Sequence, residues 1–555
     1  MQRNLSLLSK QVYDLVIVGG GIFGACAAWD AATRGLSVAL VERADFGGGT
    51  SAHSLKMVHG GIRYLQHADL VRVRESIRER NALLRIAPHL VSPLPIVIPT
   101  YGHGLQSKAL LRSGLLIYDL LAFDRNRGIA DPDRRIPPGR PISREECLRA
   151  FPHLPARKLT GAALFCDGQI YNPPRLVLSF LQSAVEAGAV VANYAEAIGL
   201  LQQSHRVQGV TVRDTLGGET FPVRGKIVLN ATGPWAEHLL QSWLGLRLDP
   251  RGTYSRDACF LVARPLVEKY ALAIAARTRD PDALLSRGKR HLFIAPWRDR
   301  TLIGVWHTVH EGRPDDFRVT EQELLGFLDE VNEAYPPLQL TLRDVALWNA
   351  GLVPFGENRP GATDLSYGKR SRIVDHAQAH SLEGLVTLIG VRLTTARGVA
   401  RKVVDGVFRK LGKAPPKSLT HCLPIHGGRI GPFEEFLGDA RKLRPDLAAD
   451  VLRALARNHG SELRTVLDCL EENPAWARPL GSSTVLGAEV VHAVRREAAQ
   501  MLGDVVFRRT DLGTGGNPGE DALRACAELM GAQFGWNAAR IRQELAEVEA
   551  QFPSF

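Results

Sequence analysis

Through the first half of the chain, apolar runs of strand length alternate with helical patterns, a rhythm that predicts a mostly parallel sheet flanked by helices. Residues 15–18 (Leu-Val-Ile-Val) have the length and β-branching of a buried parallel strand, and residues 25–34 form an Ala-rich helical stretch. A second apolar run follows at 37–41. Further on, a helical pattern at 176–187 leads into a short strand at 190–193, and strands are expected at 226–229 and 385–389. One sheet is therefore assembled from distant segments. Between them, residues 246–345 carry alternating strands such as 291–296 and 301–305, which predict an inserted antiparallel domain. From residue 413 the pattern changes. Pro415, Pro416 and the stretch 424–428 read as a linker, followed by helical periodicities at 445–457, 489–502, 520–534 and 537–551.

The expected class is thus α/β: a Rossmann-like dinucleotide-binding domain, an inserted α+β substrate domain and a helical C-terminal domain. The expected boundaries are 12–245 completed by 346–412 for the first, 246–345 for the second and 413–555 for the third. Between the first strand and helix, Gly19, Gly21 and Gly24 supply the G-x-G-x-x-G spacing, with Ile22 and Phe23 inside it. The first glycine permits the tight turn, the second lets a diphosphate approach the backbone, and the third lets helix and strand pack closely. The positive end of the helix faces the phosphates. Glu42 follows the second strand, about 18 positions after the last glycine, where a carboxylate meets a ribose hydroxyl. Strand-to-turn junctions at Asn230-Ala231-Thr232-Gly233-Pro234-Trp235 and at Gly390 with Leu393-Thr394-Thr395 offer further backbone amides to a ligand.

At 555 residues the chain is too long for one core. A hydrophobic content of 45% and an aromatic content of 7% are those of an ordinary globular protein, with no internal repeat. Seven cysteines are scattered without a C-x-x-C pair, which excludes a disulfide framework or zinc site and fits a reducing compartment; no metal is expected. The first eleven residues are too short and polar for a secretory signal, and no stretch reaches the roughly 18 uninterrupted apolar residues of a spanning helix. The net charge of +11 fits general solubility, an anionic membrane surface or a phosphorylated ligand. No nucleic acid partner is expected, because no recognisable binding module accompanies the charge. Residues 105–127 mix Leu110, Leu111, Leu115–Leu116, Ile117 and Leu120–Leu121 with Lys108, Arg112, Arg125 and Arg127. Such a basic amphipathic stretch either lies in a bilayer interface or packs as an ordinary helix on a domain.

The Gly19–Gly24 turn, Thr50-Ser51 through Lys56, the segment His59-Gly60-Gly61-Ile62-Arg63-Tyr64-Leu65, the turn at 230–235 and Leu393-Thr394-Thr395 together resemble FAD-dependent glycerol-3-phosphate dehydrogenases. Residues 489–511, ending Val506-Phe507-Arg508-Arg509-Thr510, resemble that family's helical cap, so the likeness spans almost the whole chain. It implies FAD as cofactor, with the isoalloxazine wedged between nucleotide and substrate domains, and hydride transfer from a secondary alcohol to the flavin with electrons passing to membrane quinone. It places Thr50, Ser51, Lys56, His59, Gly60 and Gly61 on the cofactor, together with Thr232, Gly233, Gly390, Leu393 and Thr394. Arg63, Tyr64 and Arg392 fall to substrate binding. It also implies a cytoplasmic protein attached peripherally to the inner face of the cell membrane, and is compatible with a homodimer.

The substrate pocket departs from the family's basic cluster. Arg392 stands where the family has lysine, a planar fork in place of a point donor. Val353 and Val374 occupy family arginine positions, with Arg372 two residues away on the same strand face, and Cys259 occupies that of the family histidine. The family's Thr-Thr-Asp reads Val305-Trp306-His307. Arg372, Arg359 or His307 are candidates to complete the positive charge a phosphate needs, and His307 or a water to remove the hydroxyl proton. The plain alternatives are a half-buried structural His307 and a small apolar Cys259. Three functions remain open: a glycerol-3-phosphate dehydrogenase, a flavin dehydrogenase or oxidase acting on another hydroxylated or amine substrate, and a non-catalytic flavin-binding sensor or assembly subunit.

Overall fold

A computed structural model describes residues 1–102, 108–246, 253–279, 281, 289–355 and 370–554; for 108–111 and 253, 354 and 355 it describes the backbone alone. The first apolar run becomes the strand Val12–Val18, whose Leu15, Val16 and Ile17 are fully buried. It lies inside an eight-stranded sheet, between Thr220–Asn230 and Val38–Val41, parallel to both. Leu385–Ile389 joins beyond Thr220–Asn230, and Val190–Ala192 beyond Val38–Val41, again in parallel. Arg372–Asp375 closes one edge antiparallel, and Ala195–Gln203 and Arg206–Asp214 form an antiparallel meander on Thr220–Asn230. Near-continuous Val, Leu and Ile in the central strands are what a sheet covered on both faces requires. The Ala-rich stretch becomes the helix Ile22–Thr33, which packs against Pro173–Glu186 and Ala396–Lys410; Trp29 and Phe180 meet at 5.4 Å between ring centroids.

A second, nine-stranded sheet runs in the order Val345–Phe355, Thr253–Val262, Arg300–His310, Lys289–Trp297, Ala271–Arg279, Val91–Tyr101, Leu159–Ile170 and Met57–Val58, with Arg140–Ile142 beside Leu159–Ile170. One face packs on the helix Glu321–Ala334, where Phe260 meets Phe327 edge-on at 5.0 Å and Trp306 stacks on the same ring at 5.4 Å. The antiparallel strands expected at 291–296 and 301–305 are the central pair of this sheet.

The division into units differs from the boundaries the sequence suggested. Met1–Ala52, Asn172–Gly252 and Gly368–Phe552 form one compact unit, and His53–Tyr171 with Thr253–Tyr367 the other. Residues 53–171, expected in the nucleotide domain, belong to the second unit because Val91–Tyr101 pairs along its length with Leu159–Ile170 and, at Ile96 and Val97, with Ala271–Arg279. Val345–Phe355 is likewise a strand of the second sheet. The C-terminal helices form the expected helical domain and belong to the same compact unit as the nucleotide sheet. They run Phe433–Leu443, Ala449–His459, Gly487–Arg496, Glu520–Phe534 and Ala538–Glu549, the last capped by the Asn537 side chain, which accepts the Arg540 N–H at 2.9 Å. The helix expected through 502 stops at Arg496.

Candidate functional site

In the first unit, four strands end at the same edge of the sheet. Val18 pairs with Val41 and Asn230, and Asn230 with Thr387, so Gly19, Glu42, Ala231 and the turn after Ile389 all leave the sheet on its carboxyl side, where ligands bind in such folds. Gly19 has φ +109°, and a Cβ on it would stand 2.7 Å from the Ala231 carbonyl oxygen. A Cβ on Gly24 would stand 1.9 Å from the Gly19 oxygen, so the helix lies directly on the turn. The Ile22 N–H donates to Ser51 Oγ at 3.0 Å. By helix geometry the amides of Phe23 and Gly24 have no acceptor within the helix.

Glu42 closes the cradle. Its Oε2 accepts the Gly20 N–H at 2.7 Å and its Oε1 the Ala44 N–H at 3.1 Å, which leaves lone pairs on both oxygens. Desolvation raises its pKa, and the two amides pull the other way. A narrow glycine turn, a helix N-terminus behind it and an acid at the end of the adjacent strand are the donor set of a dinucleotide's diphosphate and ribose, so the residues fit that group. Around the edge, Thr232 donates through Oγ1 to Asn230 Oδ1 at 2.7 Å, and Gly233 adopts φ +61°. The Phe23 ring occupies the place of a Cβ on Gly390, 2.0 Å from it, so these two pack on each other. Leu393–Thr395 is a single 3₁₀ turn leading into Ala396–Lys410, with Thr394 buried. Arg372 pairs with Ile389 in register, and the Val391 N–H donates to Ser371 Oγ, so Arg372 and Arg392 occupy one corner of the sheet. Thr50 is half-buried next to Ser51.

In the second unit, the His-Gly-Gly segment is built by close approach. The Gly60 N–H donates to Asp167 Oδ1 at 2.6 Å, and the same oxygen accepts from Arg80 Nη1 at 2.8 Å. A Cβ on Gly60 would stand 1.8 Å from the Tyr118 hydroxyl. Gly61, at φ +78°, opens the 3₁₀ turn Ile62–His67 that carries Arg63 and Tyr64. Tyr64 is buried under the Arg72 guanidinium at 3.8 Å, with His59 edge-on at 5.8 Å. Lys56 is buried with its amine 5.0 Å from the Trp297 ring centre, and desolvation lowers its pKa to about 8.

Strand register gathers further groups on the sheet face opposite Phe260 and Trp306. Cys259 pairs with Gly304 and Asn349, Asp257 with His307 and Gly351, and Ser255 with Val353. Asp257 Oδ1 lies 2.8 Å from His307 Nδ1 and also accepts the Ser255 hydroxyl. A carboxylate on Nδ1 fixes the ring and favours the tautomer whose Nε2 accepts a proton. His53 Nδ1 lies 3.4 Å from Asn349 Oδ1, and Cys259 Sγ donates to the Ser54 carbonyl at 3.7 Å, so residues 53–56 cover this face. Burial raises the Cys259 thiol to about 11, which keeps it protonated and apolar in character. On the neighbouring strand His291 shares the face of Phe293; desolvation and the nearby Arg63 charge lower it to about 4, a neutral imidazole at neutral pH.

Of the expected residues, the structure thus brings the Gly19–Gly24 turn, Glu42, Ser51 and Thr232 to one sheet edge, and Arg372 and Arg392 to one corner. Lys56, His59, Gly60, Gly61, Arg63, Tyr64, Cys259 and His307 belong to the second unit. Arg359 lies outside the described residues. Asp257, His291 and the Arg80–Asp167 pair were not singled out from sequence. The alternation Ser255-x-Asp257-x-Cys259 was the available signal for the first.

Comparison with known proteins agrees with this chemistry. A family profile described as FAD dependent oxidoreductase matches residues 14–405, and one described as the C-terminal domain of alpha-glycerophosphate oxidase matches 418–541. Glycerol-3-phosphate dehydrogenase of Synechocystis sp. is 30% identical over 98% of this chain and 97% of its own length. Glycerol-3-phosphate dehydrogenase 2 of Mycobacterium bovis is 31% identical over 98% of this chain and 88% of its own. The crystal structure of the Bacillus halodurans glycerol-3-phosphate dehydrogenase complexed with FAD superposes with a TM-score of 0.75 at 24% identity, covering 99% of this chain and 96% of that one, and shares the fold. This chain belongs to the FAD-dependent oxidoreductases, in the branch of the glycerol-3-phosphate dehydrogenases.

Proposed function

We propose that the protein oxidises glycerol 3-phosphate to dihydroxyacetone phosphate, with quinone as the final acceptor. The observation that carries this reading is the Asp257–His307 pair, an imidazole oriented by a carboxylate that stands on the neighbouring strand two residues from Cys259, the residue at the family histidine's position. His307 Nε2 takes the proton of the substrate's secondary hydroxyl, and Asp257 stabilises the imidazolium that results. FAD, when bound, supplies a two-electron acceptor able to release its electrons singly. The glycine turn, Glu42, Ser51, Thr232, Gly233 and the 390–394 segment hold it, with Lys56 and the 59–61 loop as further cofactor contacts. Arg63, Arg372 and Arg392 supply positive charge for a phosphate that carries close to two negative charges; each charge-assisted hydrogen bond contributes on the order of 1.5–3 kcal/mol. Tyr64, on the same 3₁₀ turn as Arg63, is a further substrate contact.

Changing His307 to Gln should lower kcat by about 10²–10⁴-fold with a smaller change in KM. Asp257→Asn should lower it in the same sense. A kcat unchanged in both variants removes His307 from the chemistry. A second reading, a flavin oxidase acting on a less charged alcohol or amine, is favoured by Val353 lying opposite Ser255. It predicts hydrogen peroxide in place of quinone reduction.

No helix among the described residues is long and apolar enough to cross a membrane. The helix Lys108–Leu121 leaves Leu116, Ile117 and Leu120 exposed, followed by Phe123, with exposed Arg78, Arg112 and Arg127 nearby in sequence or across the packed helix Leu70–Ile86. We read this face as the site where the protein rests on an anionic lipid surface, on the cytoplasmic side where quinone is reached.

A further inference from the structure

A buried charge network joins the C-terminal helical segment to the turn after Glu42. Asp45 Oδ2 accepts from Arg508 Nε and Arg509 Nη1, both at 2.5 Å, and Asp45 Oδ1 accepts from Arg509 Nη2 at 2.7 Å and Asn193 Nδ2 at 2.9 Å. Asp504 Oδ1 accepts from Arg508 Nη2 at 2.6 Å and the Tyr194 hydroxyl at 2.7 Å. Two guanidinium groups thus face two carboxylates. Asp45, Asp504 and Arg509 are nearly inaccessible to solvent. Consecutive residues of an α-helix point in different directions. Here the segment Val505–Arg509 is a π-helical turn, and its wider winding lets neighbouring arginines reach one carboxylate.

The turn they grip is the one that presents Glu42. The Glu42 N–H donates to the Ala192 carbonyl and its own carbonyl accepts the Ala195 N–H, while the Tyr194 N–H donates to Ala44. Residues 42–45 are therefore laced to 192–195, and Asn193 also donates to the Ala498 carbonyl. None of Arg508, Arg509 or Asp504 is at the glycine turn itself. Their geometry acts on the acid three residues before Asp45.

We infer that Arg508 and Arg509 are positioning residues for cofactor binding: the C-terminal segment holds the Asp45 turn so that the Glu42 carboxylate stands at the ribose site. This rests on the reading that Glu42 meets the FAD ribose. A function confined to fastening the helices would change stability alone.

Holoenzyme carrying Arg509→Lys, Arg508→Lys or Glu42→Ala is diluted and the released FAD followed by its fluorescence, alongside thermal unfolding in excess FAD. Lysine keeps the charge and loses the fork that two-point contact requires. The expected result is an FAD dissociation constant raised at least tenfold in all three variants. Arg495→Lys, at an exposed pair with Glu472 in the same helical region, should leave it unchanged. Should Arg509→Lys not fold, Arg508→Lys decides, its side chain being the more accessible. Wild-type FAD retention in Arg508→Lys with a weakened Glu42→Ala overturns the inference alone. Wild-type retention in Glu42→Ala overturns the ribose reading beneath it.

Discussion

Single residues carry distinct kinds of constraint here, and each kind has its own test. Gly60 is held by close approach, so Gly60→Ala drives a methyl group into the Tyr118 hydroxyl and Arg80, and should cost about 1–3 kcal/mol in denaturant unfolding. Gly199→Ala, with nothing within 4 Å of the added carbon, should cost far less. Lys56 carries a different burden, a charge without water. Its pKa lies near 8 in the folded state against an ordinary 10.5, so between those values the unfolded chain binds more protons and stability rises with pH. The advantage of Lys56→Met over wild type, measured by urea unfolding, should shrink by about 2–3 kcal/mol from pH 7 to pH 10. An advantage independent of pH would mean that the amine is hydrated. The glycine turn was legible from sequence because its residues are local, six positions from Gly19 to Gly24. The Asp257–His307 pair was only half legible, because its partners lie on separate strands and meet only through register.

Elements were legible where periodicity was strong and less so where pairing was remote. The strands at 15–18, 190–193, 226–229 and 385–389 and the helices at 520–534 and 537–551 lie where apolar spacing put them. The allegiance of 53–171 was not legible, since no local pattern says that Ile96 and Val97 will pair with Ala271 and Leu272, 175 residues further on. End signals of helices behave as local chemistry dictates: Asn537→Ala removes a cap on the Arg540 amide and should cost about 1 kcal/mol. The helix Lys108–Leu121 tests a surface. Leu120 and Phe123 are 75% and 79% exposed, and the Arg74 guanidinium lies 4.8 Å from the Phe123 ring centre. The double variant Leu120→Glu, Phe123→Glu should weaken co-sedimentation with phosphatidylglycerol vesicles by about tenfold or more, through lost apolar burial and added like charge. Binding equal to wild type would move the membrane contact elsewhere.

For the whole molecule, the net charge of +11 takes on meaning beside Val353 and Val374, which stand at positions where the family resemblance implies arginine. In the proposed function Arg63, Arg372, Arg392 and His307 supply the positive charge that these two valines lack. The class of reaction follows from the family and from the cradle at the sheet edge; the substrate follows from whether that remaining charge suffices. The most direct measurement is anaerobic mixing of purified, FAD-loaded protein with glycerol 3-phosphate while the flavin absorbance is followed. Glycerol 3-phosphate should bleach the flavin at concentrations that glycerol itself cannot match. An unbleached flavin with glycerol 3-phosphate, alongside full reduction by an uncharged alcohol or an amine, would contradict the proposed function.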